Sequence, residues 1–322
     1  MQRSVGFDRR LYMLPFDQRE SFQTKLFGWK GALDAAQTRE IAAAKQVIYD
    51  GFLAAMDDGA PKDAAAILVD EQFGADILRD ARRRGYITAC PAERSGQKEF
   101  ELEYGKDFAR HIEEFDPTFC KVLVRYNPDG DAIMNRRQAS KLCLLSEYLR
   151  ETGRKFLFEL LVPPERAELD ELGGDASLWN RIRRPLHMMH AIVELQAAGV
   201  EPDVWKLEGV ERRQDFVNVV TAARRDGRDK VGCIVLGHGA DMEQVRRWLT
   251  TAADVPGFIG FAVGRTTFWD AVANWKGGRM SRAAAIAQIG RRYLDWVRIF
   301  DGGAESTTSR RSRSVGGAEA TA

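Results

Sequence analysis

The chain is short of the residues that metal centres and disulfide frameworks draw on. It has only four histidines and four cysteines in 322 residues. Cys90, Cys120, Cys143 and Cys233 are scattered with no C-x-x-C spacing, so they read as reduced, mostly buried thiols of a cytoplasmic protein. Cys90 lies near a strand end, but no helper histidine can be assigned to make it a nucleophile. His187 and His190 sit at i, i+3 on a predicted helix away from the strand ends, which favours a surface or packing role. His111 and His238 are the other two. No metal and no other cofactor is therefore expected. An excess of charge of one sign is missing too: 48 basic and 47 acidic residues leave a net charge of +1, which argues against nucleic acid or an anionic membrane as partner. No apolar run approaches the length of a membrane span, and residues 1–8 carry no apolar signal core.

What is present is a repeated alternation. Eight short apolar runs, bounded by Gly, Pro, Asp or Asn, occupy 11–17, 65–71, 86–91, 120–127, 156–163, 204–209, 231–237 and 258–264. Helical periodicity marks 38–56, 132–152, 182–198, 212–225 and 242–252, and a last helix covers 281–299. The runs are mostly continuous in Val, Ile, Leu and Phe, as fits parallel strands covered on both faces. Strand alternating with helix eight times predicts an α/β fold, a (β/α)8 TIM barrel, as a single domain over 1–301. A doubly wound sheet alternates similarly, but the count of eight and the absence of a Gly-rich dinucleotide loop after the first strand favour the barrel. Residues 302–322 are Gly, Ser, Thr and Arg with almost nothing apolar, which predicts a disordered tail. Its run Ser309-Arg310-Arg311-Ser312-Arg313 reads as solvated chain rather than a nucleic-acid contact.

One lysine stands out against this background. Lys206 interrupts the apolar strand Val204-Trp205-Lys206-Leu207-Glu208. Burying an unpaired ammonium costs on the order of several kcal/mol unless it sheds its proton. A neutral buried lysine is a nucleophile toward carbonyl groups, so the position points to Schiff-base chemistry. Barrel enzymes react at the C-terminal ends of their strands, where polar residues cluster here as well. The first run ends in Asp17-Gln18-Arg19 and the third in Cys90-Pro91-Ala92-Glu93. The fourth carries Lys121 and Arg125, and the fifth Glu159. Alternation puts Lys206 and Glu208 on one face with Trp205 and Leu207 on the other, making Glu208 a candidate substrate-binding residue. Lys121 and Arg125 share a face, and Glu159 lies with Leu157 and Leu161. In that convergence the extra cations disfavour a charged Lys206, Glu159 shuttles protons, and Asp17 orients substrate hydroxyls or shares the acid–base work. Gly237-His238-Gly239 and Gly264-Arg265 follow the last two strands, where many barrels hold phosphate. A substrate carboxylate would need another cation, which Arg19, Arg94 or Arg125 could supply.

The strings Phe16-Asp17-Gln18-Arg19, Lys121-Val122-Leu123-Val124-Arg125-Tyr126, Phe158-Glu159, Val204-Trp205-Lys206-Leu207-Glu208 and Val263-Gly264-Arg265 resemble the class I tagatose-bisphosphate aldolase family. The resemblance implies Lys206 as the Schiff-base lysine, Lys121 and Glu159 as its assistants, and a contribution from Asp17 and Gln18. Val69-Asp70-Glu71-Gln72-Phe73-Gly74, Cys90-Pro91-Ala92-Glu93-Arg94-Ser95-Gly96 and Gly264-Arg265-Thr266-Thr267-Phe268-Trp269 are more similar still to the domain fused behind the sugar kinase of bacterial inositol breakdown. That resemblance, over about residues 10 to 300, implies cleavage of 2-deoxy-5-keto-gluconate 6-phosphate to dihydroxyacetone phosphate and malonate semialdehyde. The implied partner is a small phosphorylated keto sugar or sugar acid. A ketose bisphosphate or sulfo-sugar phosphate substrate, or a non-catalytic sugar-phosphate-binding barrel that partners a kinase, are the alternatives. The sequence leaves a homo-oligomer open.

Overall fold

Side chains alternate across each strand of this chain, and the alternation separates two cores. The computed structural model describes residues 5–315, with side chains through residue 302. Its strands are β1 (Leu11–Pro15), β2 (Ala65–Leu68), β3 (Ile87–Pro91), β4 (Phe119–Arg125), β5 (Lys155–Leu161), β6 (Val204–Glu208), β7 (Gly232–Leu236) and β8 (Phe258–Ala262). Each pairs in parallel with the next and β8 returns to β1, closing the predicted barrel. Inside lie Leu11, Met13, Ala66, Leu68, Phe119, Leu157, Val204 and Ile234, with Phe7 across the lower end against Phe119. One step further along the same faces, Phe119, Leu157 and Val204 give way to charge at Lys121, Glu159 and Lys206.

The opposite faces, including Tyr12, Val122, Phe158, Trp205, Leu207 and Phe261, belong to the larger core under the helices. Those helices are α1 (Ala35–Asp57), α2 (Glu71–Arg83), α3 (Phe108–Phe115), α4 (Ala132–Glu151), α5 (Arg166–Glu171), α6 (Ala176–Ile182), α7 (Arg184–Ala197), α8 (Arg213–Arg224), α9 (Met242–Ala253), α10 (Arg265–Lys276) and α11 (Arg282–Val315). Aspartates begin many of them: Asp34, Asp70, Asp131, Asp175 and Asp241 each accept a hydrogen bond from a backbone N–H of the first turn. The predicted helix at 281–299 lies within α11, whose backbone continues to Val315. The tail expected over 302–322 thus overlaps this element. Its side chains beyond residue 302, and all of 316–322, lie outside the described residues. Among the described residues no helix is long and apolar enough to cross a membrane.

The barrel closes at a seam with no room for a side chain. Gly260 of β8 pairs with Leu11, and a Cβ at that glycine would run into the Leu11 backbone. Gly260→Ala is therefore expected to destabilise the fold by about 1–3 kcal/mol through overpacking. A urea unfolding midpoint equal to wild type would show that the seam relaxes.

Candidate active site

The charged layer at the top of the barrel is one ion network. Lys121 is 1% exposed, and its ammonium lies 2.8 Å from Asp17, 2.7 Å from Glu93 and 3.0 Å from Glu159. Glu159 Oε2 is also 2.8 Å from Lys206 Nζ, so one carboxylate oxygen bridges both lysines. Neighbouring strands deliver these groups in register, with Glu159 beside Lys206 across the β5–β6 pair. Three carboxylates thus face two ammonium groups. The groups expected around Lys206 are cations, and its ion-pair partner is Glu159. Lys121 lies beyond that anion, satisfied by three carboxylates and unable to take a substrate anion as well.

The carboxylates are driven apart by their surroundings. Burial would raise Asp17, but Lys121 and Lys206 overcome it and hold the group down to about 2. Glu159 is lowered too: burial opposes ionisation, and Lys121 and Lys206 outweigh it. Glu93 goes the other way, because burial prevails over Lys121 and Arg19. Its Oε2 is a buried atom with no hydrogen-bond partner. Glu93 was not among the residues singled out for chemistry. The signal was there, since two-residue steps from Ile87 through Ala89 and Pro91 put it on the inner face.

An arm following β3 walls the site. Glu93 bridges antiparallel to Leu102, and the turn between them holds Arg94, Ser95, Gly96, Gln97 and Lys98 over a 220 Å³ cavity that reaches Lys206 and Glu159. Arg125 donates to the Gln97 carbonyl at 2.8 Å while lining the cavity. Arg94 and Lys98 make no side-chain ion pair among the described residues and are exposed. Arg19 is different: it is buried, bonded to Glu103 at 3.0 Å and to the Glu93 carbonyl at 2.6 Å, so it ties β1 to the arm rather than waiting for substrate. Gln18 lines the cavity with a buried, unpartnered Oε1. Behind it a lysine that sequence reasoning passed over, Lys45 of α1, is fully buried. It donates to the carbonyls of Phe16 and Gln18 and pairs with Asp70. Its place on the inner stripe of α1, between Ile41 and Ile48, was the available clue.

A second cavity opens beside the first, and Ser21 lines both. Here Lys25, Gly239, Ala240, Arg265, Thr266 and Trp269 gather at the start of α10. The Arg265 guanidinium lies so close to Gly239 that a Cβ there would sit 2.7 Å from it. Neither Lys25 nor Arg265 has an acidic partner among the described residues. Unpaired N–H groups of a helix start and two free cations suit an anion. The other residues expected to hold phosphate are elsewhere. His238, in a left-handed backbone conformation (φ 47°), turns its Nδ1 to Glu208 at 2.7 Å. Glu208 also accepts from the Val162 N–H and from Arg184, so its oxygens are occupied and it lines neither cavity. Gly237 packs against Val263, and Gly264 lets β8 approach the Pro15 carbonyl; both are close-packing positions outside either cavity lining.

Residues 7–303 match a family described as an uncharacterized protein conserved in bacteria, DUF2090. The chain belongs to the DUF2090 family. No curated protein matches it. Among solved structures it is similar to fructose-bisphosphate aldolase from Plasmodium falciparum, crystallised in a ternary complex with TRAP and a small molecule inhibitor. The TM-score is 0.65 at 13% identity, covering 94% of this chain and 93% of that one. That likeness is one of fold.

Elsewhere in this DUF2090 chain, His187 and His190 do not converge. His187 is buried against Glu168, which is also held by Asn127 and Trp179, while His190 is exposed. All four cysteines are free, and burial with Glu71 beside it pushes the Cys90 thiol well above its ordinary range, so it is no nucleophile.

Lys121→Met leaves three buried carboxylates short of a cation and is expected to cost about 3–5 kcal/mol of stability at neutral pH. In the wild type Asp17 and Glu159 lie below their unfolded values. Their contribution is therefore present above the ordinary carboxylate range and lost as pH falls through the lower folded values. Without Lys121 burial loses its main opposition and both rise. The deficit should then shrink between pH 7 and pH 5, read by urea unfolding at each pH. A deficit that is constant or grows in acid would contradict the network.

Proposed function

We propose that this chain is a Schiff-base carbon–carbon lyase acting on a phosphorylated keto sugar acid, with 2-deoxy-5-keto-gluconate 6-phosphate as the favoured substrate. The observation that carries this reading is Lys206, nearly buried, 2.8 Å from Glu159 and open to a cavity flanked by two sets of free cations. Lys206 passes a proton to Glu159, and the free amine adds to the substrate ketone. Glu159 returns that proton to the carbinolamine oxygen, which leaves as water, giving an iminium and an ionised Glu159 again. Glu159 then accepts the proton of the hydroxyl β to the iminium. The intervening carbon–carbon bond breaks, its electron pair moves into the iminium, and an aldehyde departs. The enamine takes a proton on carbon, and water releases the ketone product and restores Lys206. No electrons enter or leave overall.

Support for two anionic ends comes from the cations on either side. Lys25, Arg265 and the start of α10 suit the phosphate. Arg125, with Arg94 and Lys98 on the arm, suits a carboxylate at the other end of the chain of carbons. Asp17, held ionised, accepts from substrate hydroxyls, and Gln18 has an unsatisfied amide oxygen for the same purpose.

Borohydride added with dihydroxyacetone phosphate is expected to fix a three-carbon phosphate adduct on Lys206, located by peptide mass spectrometry and absent from Lys206→Ala. Glu159→Gln should slow cleavage by about 10²–10⁴-fold. Cleavage that survives Lys206→Ala would overturn the mechanism. Tight binding of the sugar phosphate with no adduct would favour a non-catalytic binding barrel instead.

A further inference from the structure

Away from the reacting layer, on the outer side of β3, one buried carboxylate is without a cation of its own. Glu71, in the first turn of α2, is 8% exposed. Its Oε1 accepts from the Tyr104 hydroxyl at 2.7 Å, and its Oε2 lies 3.5 Å from Cys90 Sγ. The nearest basic group is His111 of α3, whose Nε2 is 3.7 Å from Oε1. Arg19, which could have served, spends its guanidinium on Glu103 and the Glu93 carbonyl. His111 is itself 9% exposed, stacked against Tyr104 at 4.0 Å, and its Nε2 is a buried atom with no hydrogen-bond partner. A sulfur, an imidazole nitrogen and a carboxylate oxygen therefore converge within 4.8 Å of one another, all buried.

We infer that Glu71, Cys90 and His111 form a zinc site that anchors the arm of the β3 loop. Three observations converge on it. Buried carboxylates are found paired with a cation or a metal, and this one has only a phenol and a thiol as donors. The donor set of thiolate, imidazole and carboxylate is the one zinc selects over magnesium or calcium. The spacing fits as well. Metal–ligand lengths of about 2.0–2.3 Å in a tetrahedron place such ligand atoms about 3.3–3.5 Å apart. Here Oε2 is 3.5 Å from the sulfur, Oε1 is 3.7 Å from the imidazole nitrogen, and one oxygen, the sulfur and the nitrogen lie within 4.8 Å of one another, a set that a small side-chain shift would close around the ion. Binding replaces the Cys90 proton by the metal and releases it to solvent, so the thiol becomes a thiolate ligand beside the Glu71 carboxylate. A water or the Tyr104 phenol would complete the shell.

The role is positional. The ligands come from α2, β3 and α3, and Tyr104 sits where the arm rejoins the barrel. A metal there would fix the arm that carries Arg94 and Lys98 without touching Lys206. It stands whether or not Lys206 carries the chemistry.

The full chain, stripped with chelator and dialysed against Zn²⁺, is expected to retain one zinc per chain, and Co²⁺ in its place should give a thiolate-to-metal charge-transfer band in the near ultraviolet. Cys90→Ser and His111→Gln should each lower bound zinc by about tenfold or more and remove the band. Cys143→Ser, at a half-buried thiol elsewhere, should leave both intact. Unchanged zinc in the first two variants, or zinc that is lost with His187→Gln, overturns the site. Should the variants not fold, the wild-type cobalt spectrum decides alone: no thiolate band means no site here.

Discussion

The ammonium of Lys121 is the contact on which the upper barrel depends. It is nearly inaccessible and is bonded to carboxylates from three places: Asp17 after β1, Glu93 after β3 and Glu159 on β5. A barrel core of Leu, Ala, Val and Phe fills the lower layers, where packing alone suffices. The layer above them, at Lys121, Glu159 and Lys206, lines the cavity. Charge fills that layer instead, and each charge is tolerable only because the others are there. Lys45 performs the same service one layer out. By binding the carbonyls on both sides of Asp17, it fixes the backbone that presents Asp17 to Lys121.

Most of this was legible in the sequence wherever a strand's own alternation did the work. Two-residue steps placed Lys121, Glu159 and Lys206 inward and Trp205 and Leu207 outward, because the apolar runs left no doubt about phase. Legibility failed where a side chain's role is set by partners from distant elements. Glu208 has the right phase, yet Arg184 from α7 and His238 after β7 occupy it, and no local pattern announces that. The strings Gly237-His238-Gly239 and Gly264-Arg265 likewise mixed cavity residues with close-packing ones. Gly239 and Arg265 meet at the second cavity, whereas Gly237 and Gly264 are small because neighbouring chain is close. Lys45 was overlooked, and Glu93 was placed at a strand end but given no role, because a lysine in a helix and a glutamate in a loop are ordinarily solvated.

The cations sort into two kinds, and the sorting bears on specificity. Lys121, Lys45 and Arg19 are buried and saturated, so they hold the site together and have nothing left for a ligand. Lys25, Arg94, Lys98 and Arg265 are unpaired among the described residues and surround the two openings. An ionic ligand gains most from the second kind, since those charges need not give up an existing partner. On the proposed reading, a substrate with one anionic end would leave one opening's cations unused, which favours an acid that is also a phosphate over a neutral sugar phosphate.

The bridging oxygen of Glu159 explains why two lysines are needed when only one would react. On the proposed path Lys206 passes from ammonium to iminium and then to a neutral enamine, so its charge beside Glu159 comes and goes. Burial alone would push Glu159 toward its protonated form whenever that charge disappears. Lys121 keeps its charge throughout, because burial is outweighed by Asp17, Glu159 and Glu93 and the group is held well above the ordinary lysine range. A permanent cation on the same oxygen leaves Glu159 able to take a proton from substrate and return it, at every stage of a cycle in which its other neighbour changes charge.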